Sequence, residues 1–208
     1  PLVEWTILQA KAADIGEVVV CSDDRDVLSL ATDYGCTKYE EPPELASDLV
    51  AMESVLQWCF AERERLGGTK PQWLFLLQCT SPLKLSGHIR ECAAVAKTGA
   101  FNSVFSVVAS AHCYWRTMGK DFIPEWPRRG ALKRLTRQES GQQWTENGAI
   151  YAVKTDRLLV EETRFCPSMY LYEMPGWSAM QVDTPEDLAL VELIMRARLQ
   201  LGSDGVRT

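Results

Sequence analysis

The sequence predicts an α/β fold with a mostly parallel sheet, and three observations support this prediction. Short runs of β-branched and other apolar residues alternate with longer segments whose apolar residues recur at helical spacing. Turn and capping residues separate the two kinds of segment. The chain has 208 residues, 46% hydrophobic and 24% charged, which suits one domain with its own core. Alternating strands and helices form parallel sheets with helices on both faces.

The first half of the chain follows this alternation closely. A helix is predicted at the start because Leu2, Val3, Ile7 and Leu8 share one face. The next segment, 16–22, is β-branched and ends in small and acidic residues, which is typical of a buried strand followed by a helix cap. The further predicted strands are 37–39, 73–77 and 103–108, and the further predicted helices are 25–34, 49–66 and 86–98.

The alternation breaks at residue 109. Residues 109–147 show no clear period and contain a basic run, so we predict an inserted arm that contacts a partner. The segment Thr184-Pro185-Glu186-Asp187 predicts the start of the last helix, with Thr at the cap, Pro in the first turn and an acid at the third helical position. Between the arm and this helix we predict strands at 148–153, 170–174 and 180–182 and a short helix at 155–160.

Composition excludes several functions. The 22 Lys and Arg against 28 Asp and Glu give a net charge of −6, which disfavours a surface that grips nucleic acid or an anionic membrane. No apolar run approaches the roughly 20 residues of a membrane span. Seven cysteines without CxxC spacing and two distant histidines argue against a disulfide framework and a His-rich metal site. We therefore expect a cytoplasmic protein with no nucleic-acid or membrane partner.

Two polar clusters follow predicted strands, at the edge where open α/β sheets bind ligands. Ser22-Asp23-Asp24 is interpreted either as a helix cap or as part of a ligand site. Gln78, Thr80 and Ser81 follow a run of five apolar residues. Each of these three side chains has both a donor and an acceptor, which suits a sugar or a nucleoside. The alternative is a hydrogen-bonded turn that leads into Pro82.

Two charged clusters are the other candidates for a site. Five of the ten residues from 128 to 137 are cationic and none is acidic, which indicates either an anion-binding arm or a solvated face. Asp183 ends a predicted strand immediately before a capped helix. Its carboxylate could hold Mg²⁺, which prefers oxygen ligands, or could serve as a second capping acceptor beside Thr184. The five cations are Arg128, Arg129, Lys133, Arg134 and Arg137.

Taken in order, these segments resemble the acylneuraminate cytidylyltransferase family, the CMP-sialic acid synthetases. Leu-Leu-Gln-x-Thr-Ser-Pro at 76–82 and Asn-Gly-Ala-Ile-Tyr at 147–151 are the most specific motifs in combination. The resemblance implies a Rossmann-like, three-layer nucleotidyltransferase sheet and a homodimer whose arm, 109–147, reaches into the partner's active site. It also implies that CTP is joined to an acidic nine-carbon sugar, with release of pyrophosphate and a requirement for Mg²⁺. The other matching segments are 18–24, 44–48, 103–108, 137–138 and 182–188.

The resemblance also implies roles for single residues. The sugar-acid pocket would be built from polar and aromatic side chains, anionic groups would be bound by arm arginines, and Mg²⁺ would be held by one carboxylate. Catalysis would depend on one carboxylate, one arginine and one glutamine. The implied substrate-binding residues are Gln78, Thr80, Ser81, Arg116, Arg137, Asn147, Tyr151 and Phe165, the implied metal ligand is Asp183, and the implied catalytic residues are Asp183, Arg137 and Gln78.

The chain departs from the family pattern in three places. The family begins with a strand and a phosphate-binding loop, and Pro1-Leu2 matches the residues just after that loop. We expect either a piece of a longer chain, because losing a central strand would leave apolar faces uncovered, or a protein that binds CTP poorly. Gln181 stands where the family often has an acid before the last helix, and Glu41 stands where it often has an arginine near the base.

Two alternative functions stay open. A nucleotidyltransferase for 3-deoxy-octulosonate would share the fold, but that family typically carries Gln-Gly-Asp-Glu-Pro where this chain has Gln78-Cys79-Thr80-Ser81-Pro82. A binding or scaffold protein could use the same fold after losing its phosphate loop.

Overall fold

The structure is a computed structural model that describes residues 1–47, 49–112, 114–124 and 136–200. Strands and helices alternate along these residues. The strands are Val19–Ser22 (β1), Thr37–Glu40 (β2), Trp73–Leu76 (β3), Ser103–Ser110 (β4), Trp115–Met118 (β5), Asp121–Pro124 (β6), Gln143–Lys154 (β7) and Met169–Glu173 (β8). The helices are Leu2–Ala13 (α1), Arg25–Asp33 (α2), Met52–Arg65 (α3), Ser86–Lys97 (α4), Arg137–Ser140 (α5), Thr155–Glu161 (α6) and Pro185–Gln200 (α7), with a 3₁₀ turn at Gly176–Ala179.

The central sheet has four strands in the order β3-β7-β4-β8. Strand β7 is antiparallel to both β3 and β4, and β4 is parallel to β8, so β3, β4 and β8 run in the same direction. Strand β7 runs the other way because the arm returns the chain to the edge at which β4 ends, without a crossover helix. Strands β1 and β2 form a separate parallel pair, and β5 and β6 form a hairpin.

Helices cover both faces of the sheet. On one face, α4 packs Ile89 and Cys92 against Val104 and Ile150 of β4 and β7. On the other face, Leu56 of α3 and Leu158 of α6 pack against β7 and β3. The prediction of a three-layer α/β fold is therefore confirmed.

Strand β1 has a small core of its own. Ile7 of α1, Val20 of β1 and Ala31 of α2 pack together. Asp24 caps α2, because its side chain accepts hydrogen bonds from the backbone N of Asp26 (2.7 Å) and Val27 (3.4 Å). The capping interpretation of this acidic cluster is therefore confirmed.

A wide cleft separates β1 from β3. Its volume is about 900 Å³, and it is lined by both strands, by α1 and by α3. Within the described residues, β1 pairs only with β2, and β3 pairs only with β7. The sheet is therefore interrupted between these two strands.

Two predicted details are wrong. Residues 180–182 do not form a strand, because this segment crosses the end of the sheet and Val182 N bonds to Thr80 O (2.7 Å). Leu8 is 40% exposed, because α1 is rotated so that Thr6 faces inward and accepts a hydrogen bond from Lys84.

In the arm, β4 and β7 extend as far as Ser110 and Gln143. No helix in the described ranges is both long enough and apolar enough to cross a membrane.

Candidate functional site

A buried lysine holds the loop that follows β3. Lys84 is 1% exposed, and its Nζ donates to Gln78 O (2.6 Å), Ser81 O (2.9 Å) and Thr6 Oγ1 (3.0 Å). Burial lowers the pKa of Lys84 to about 7. The lysine therefore fixes the backbone of the loop and ties it to α1. Sequence reasoning missed Lys84, and the only signal for it is a lysine placed between Leu83 and Leu85.

Two glutamines converge on Gly148. A Cβ at Gly148 would lie 2.6 Å from Gln181 Oε1 and 3.0 Å from Gln78 Oε1, and the backbone φ there is +67°. Both observations favour glycine, which adopts a positive φ with the least strain and leaves room for the two amides. Because Val182 N also bonds to Thr80 O, three distant segments meet at one place. The structure thus brings together Gln78 and Thr80, predicted as substrate-binding residues, with Gln181.

Ser81 and Asn147 lie beneath this place. Ser81 Oγ donates to Asn147 O (2.9 Å), and Ser106 Oγ donates to Asn147 Oδ1 (2.6 Å). The amide nitrogen of Asn147 donates to the Ser178 hydroxyl (3.2 Å). Both side chains are almost completely buried. They therefore support the loop after β3 from within, whereas the resemblance implies that they bind substrate.

An aromatic pair forms a second part of the site. The rings of Tyr151 and Phe165, both predicted to bind substrate, meet edge to face with centroids 5.9 Å apart. The Tyr151 hydroxyl donates to Glu146 Oε2 (2.8 Å), and burial together with this bond raises the pKa of Tyr151. The Arg164 guanidinium lies 4.7 Å from the Tyr151 ring centroid and pairs with Glu53 (2.9 Å). Sequence reasoning missed Arg164 and Glu146.

Asp183 stands exposed at the start of α7. The helix cap is a different pair, because Asp187 Oδ2 accepts from Thr184 N (2.9 Å) and Asp187 N donates to Thr184 Oγ1 (3.2 Å). Hydrogen bonds from Thr184 and Asp183 N lower the pKa of Asp187. The alternative that Asp183 itself caps the helix is therefore wrong. No described residue donates a hydrogen bond to the Asp183 carboxylate, so its oxygens are available to a ligand.

Asp183 offers a single carboxylate to a cation. Among the described residues, no three His, Cys, Asp or Glu side chains come together as a metal site. One carboxylate is nevertheless compatible with Mg²⁺, which usually keeps several waters and shares its coordination with substrate phosphates.

The predicted anion-binding arginines lie on the arm. Arg116 is in β5, opposite Ile123 of β6, and is exposed. Arg137 is the first residue of α5, whose cap is formed by Thr136 and Glu139. The remaining cations of the basic run, residues 128–134, lie outside the described residues.

Glu41 lies at the carboxyl end of β1. Its backbone N bonds to Ser22 O (2.9 Å), and its carboxylate accepts from Cys21 Sγ (3.8 Å). A hydrogen bond between Cys21 and Cys59 raises the pKa of the Cys21 thiol and lowers that of Cys59. Glu41, Cys21 and Cys59 line the cleft, as do Gln78 and Thr80, so the cleft extends to the predicted substrate site.

Comparisons with known proteins show which proteins the chain resembles. No protein-family model matches the chain. The chain is 26% identical over 193 residues to the N-acylneuraminate cytidylyltransferase of Streptococcus agalactiae serotype III (strain NEM316), covering 90% of this chain and 45% of the relative. It is 23% identical over 201 residues to post-translational flagellin modification protein B of Campylobacter coli, covering 95% and 85% of the two chains. The chain thus spans less than half the length of the Streptococcus relative.

Solved structures show the same fold. The structure of a CMP:2-keto-3-deoxy-manno-octonic acid synthetase complexed with CTP matches with a TM-score of 0.64 at 16% identity, covering 95% of this chain and 88% of that chain. The resemblance to acylneuraminate cytidylyltransferases and the nucleotidyltransferase fold are both confirmed.

Proposed function

We propose that this chain forms the catalytic part of a cytidylyltransferase that joins CTP to a sialic-acid-like nonulosonic acid and releases pyrophosphate. The observation that carries the proposal is the convergence of Gln78, Thr80 and Gln181 around Gly148. Together with Gly148, these residues come from three segments far apart in sequence, and the segments that contain Gln78 and Gly148 carry the two family motifs. The similarity to an N-acylneuraminate cytidylyltransferase over 90% of the chain supports the same activity.

The sugar acid is recognised by polar and aromatic side chains. The Gln78 amide both donates and accepts hydrogen bonds, which suits sugar hydroxyls. Tyr151 and Phe165 offer an apolar wall, and Arg164 places a positive charge at its rim, which suits a carboxylate. Arg116 and Arg137 supply further positive charge for the anionic groups.

The chemical step needs positioning and charge neutralisation more than covalent help from the protein. The anomeric hydroxyl oxygen bonds to the α-phosphorus, the bond from that phosphorus to the leaving oxygen breaks, pyrophosphate departs with the electron pair, and the hydroxyl proton passes to solvent. Asp183, together with the substrate phosphates, would hold Mg²⁺, and the bound ion would neutralise charge on the phosphate oxygens. Lys84 keeps the Gln78 loop in place throughout.

A homodimer is part of the proposal. Three aromatic side chains are exposed on the arm or at its base, Tyr114 (51%), Trp115 (54%) and Trp144 (43%). Exposed aromatic clusters are typical of protein interfaces. The arm is therefore proposed to contact a second copy, which would bring the arm arginines close to the partner's site.

Pyrophosphate release tests the activity. The full polypeptide is assayed with each of the four common ribonucleoside triphosphates against N-acetylneuraminate, legionaminate, pseudaminate and 3-deoxy-octulosonate. Release is expected with CTP and a nine-carbon acid. Release with 3-deoxy-octulosonate alone would favour the sugar-acid alternative. Absence of both release and CTP binding by calorimetry would indicate a scaffold protein.

An arginine pair sharpens the same assay. Arg137→Ala is expected to lower turnover without changing the denaturation midpoint, because its proposed partner is the substrate. Arg157→Ala is the matched control, since Arg157 is exposed on α6 and pairs with Glu161 one turn along the same helix (3.3 Å). Equal turnover in the two variants would remove Arg137 from the site.

A further inference from the structure

Two cysteines from separate elements meet where α3 approaches β1. Cys21 is the third residue of β1, and Cys59 lies in the middle of α3. Their thiols are joined by a hydrogen bond, and Cys21 Sγ also donates to Glu41 Oε2 (3.8 Å). Because the two cysteines are far apart in sequence, the fold itself brings them together.

The pairing of β1 with β2 determines the direction of the Cys21 side chain. Cys21 and Tyr39 are register partners, so their side chains share one face of the pair. Val20, the preceding residue, points to the other face, where it packs with Ile7 and Ala31. The Cys21 side chain therefore points away from the small core that α1 and α2 form.

Two further contacts hold α3 against the face that carries Cys21. Trp58, the neighbour of Cys59 in α3, meets the ring of Tyr39 edge to face, with centroids 6.4 Å apart. Tyr39 is 5% exposed, so this aromatic contact is part of a packed interface. Arg63, one turn beyond Cys59, forms an ion pair with Glu17, just before β1. The contact between the two thiols is therefore flanked by contacts that hold both elements in place.

Cys21 and Cys59 are both partly exposed, so a small reagent can reach them. The other described cysteines donate to backbone carbonyls, are sealed in the core or are exposed in a loop; these are Cys36, Cys79, Cys92 and Cys166. The contact between Cys21 and Cys59 thus combines a partner thiol with access from solvent.

The surroundings make the two thiols chemically unequal. The hydrogen bond from Cys21 lowers the pKa of Cys59, whereas the same hydrogen bond, burial and the Glu41 carboxylate raise the pKa of Cys21. The thiolate is the nucleophile in thiol–disulfide exchange. Cys59 is therefore suited to attack first, and Cys21 is suited to follow as the second sulfur.

We propose that Cys21 and Cys59 form a reversible disulfide, a redox modification site that links β1 to α3. In the first step the Cys59 sulfur attacks a small-molecule disulfide such as glutathione disulfide, a mixed disulfide forms, and one thiolate leaves with the electron pair of the broken S–S bond. In the second step the Cys21 sulfur, after losing its proton, attacks the Cys59 sulfur, and the second thiolate leaves. The two protein thiols are oxidised, and the reagent is reduced to two thiols that take up the two protons. This proposal does not depend on the proposed function.

The disulfide would respond to the redox state of its surroundings. Seven cysteines without CxxC spacing argue against a permanent disulfide framework. A single pair that opens and closes is the kind of disulfide that proteins in reducing surroundings use for redox sensing. When the bond is closed, it constrains the unfolded chain and should stabilise the fold.

Mass mapping of the full polypeptide tests the proposal. The chain is incubated with glutathione disulfide, the remaining thiols are alkylated, and its digest is compared with that of a chain reduced by dithiothreitol. We expect a linked peptide that joins Cys21 to Cys59 within a monomer, the loss of two of the seven alkylatable thiols, and a higher urea midpoint than in the reduced chain. Dithiothreitol should restore both thiols. Absence of the linked peptide, linkage to another cysteine, or linkage only between two copies would overturn the proposal.

Three serine variants test the order of the two steps. Cys21→Ser should stop at a mixed disulfide, with one glutathione on Cys59, because the second sulfur is missing. Cys59→Ser should leave Cys21 without glutathione, because the attacking sulfur is missing. Cys36→Ser is the matched control, since Cys36 is also partly exposed but packs in the core of α1 and α2, and it should form the Cys21–Cys59 bond as the unmodified chain does.

The urea midpoints of the reduced variants establish that each of them is folded. Equal glutathione attachment in Cys21→Ser and Cys59→Ser would refute the proposed order of attack. A rise in midpoint on oxidation that persists in Cys21→Ser would arise from another group and would contradict a stabilising link between β1 and α3.

Discussion

The two sides of the sheet differ in burial although their sequences are similar. In β4 and β7, Val104 and Ile150 are completely buried and Val153 is 1% exposed. At the two edges of the cleft, Val19 of β1 is 38% exposed, and β3 is half-buried along its whole length. Both sides consist of β-branched and other apolar residues. An apolar run therefore predicts a strand, whereas its burial is provided by neighbouring elements.

The largest expected effect tests this contrast directly. Ile150→Ala removes a completely buried side chain and should lower the free energy of unfolding by about 2–5 kcal/mol. Val19→Ala, at the cleft, should cost less than about 1 kcal/mol because much of that side chain is already exposed. Urea denaturation of both variants measures the difference. Equal losses would mean that the cleft is filled in solution.

Lys84 links α1 to the loop that follows β3. Its titration gives the second-largest expected effect on stability. Its folded pKa is lowered to about 7 from the usual 10.5, so between these pH values the unfolded chain binds more protons than the folded chain. Stability should therefore rise with pH across this window, by at most about 1.4 kcal/mol per pH unit, and lose this contribution as pH falls toward 7.

Two methionine variants isolate this contribution. Lys84→Met should abolish the rise, whereas Lys38→Met, at an exposed position of β2, should keep it. The measurement is the denaturation midpoint as a function of pH for all three proteins. A rise that persists in Lys84→Met would assign it to other groups.

Sequence patterns predicted the fold and part of the site, for identifiable reasons. The β-branched runs and the caps at Asp24 and Thr184 depend on neighbours close in sequence, so they were predicted correctly. Gln78 and Thr80 were predicted as candidate site residues because they follow an apolar strand. Lys84 and Arg164 were missed, because their roles arise from contacts with α1 and α3, which are distant in sequence. The antiparallel course of β7 was missed because the arm that reverses the chain has no periodic pattern.

The third effect concerns Gly148, at the end of the sheet where the predicted substrate site lies. Gly148→Ala should lower stability by about 1 kcal/mol or more, because φ is +67° and the new Cβ would collide with the Gln78 and Gln181 amides. Gly35→Ala is the control, since φ is +62° but nothing lies within 4 Å. Both variants should lose stability, but only Gly148→Ala should lose sugar-acid turnover. Equal turnover would show that the two amides do not contact substrate.

The smallest effect separates two neighbouring carboxylates at the start of α7. Asp187→Ala removes the acceptor for Thr184 N and should slightly lower the denaturation midpoint without changing the Mg²⁺ titration of activity. This loss of stability should vanish at acidic pH. The pKa of Asp187 is lowered in the folded chain, so its carboxylate stabilises the fold above the unfolded pKa, and this contribution disappears as pH falls through the folded pKa. Asp183→Asn should do the opposite, raising the Mg²⁺ needed for half-maximal activity at unchanged stability. An identical titration in Asp183→Asn and the unmodified chain would leave Asp183 without a metal, and the carboxyl edge of the sheet would then depend on arginines alone for neutralising the phosphates.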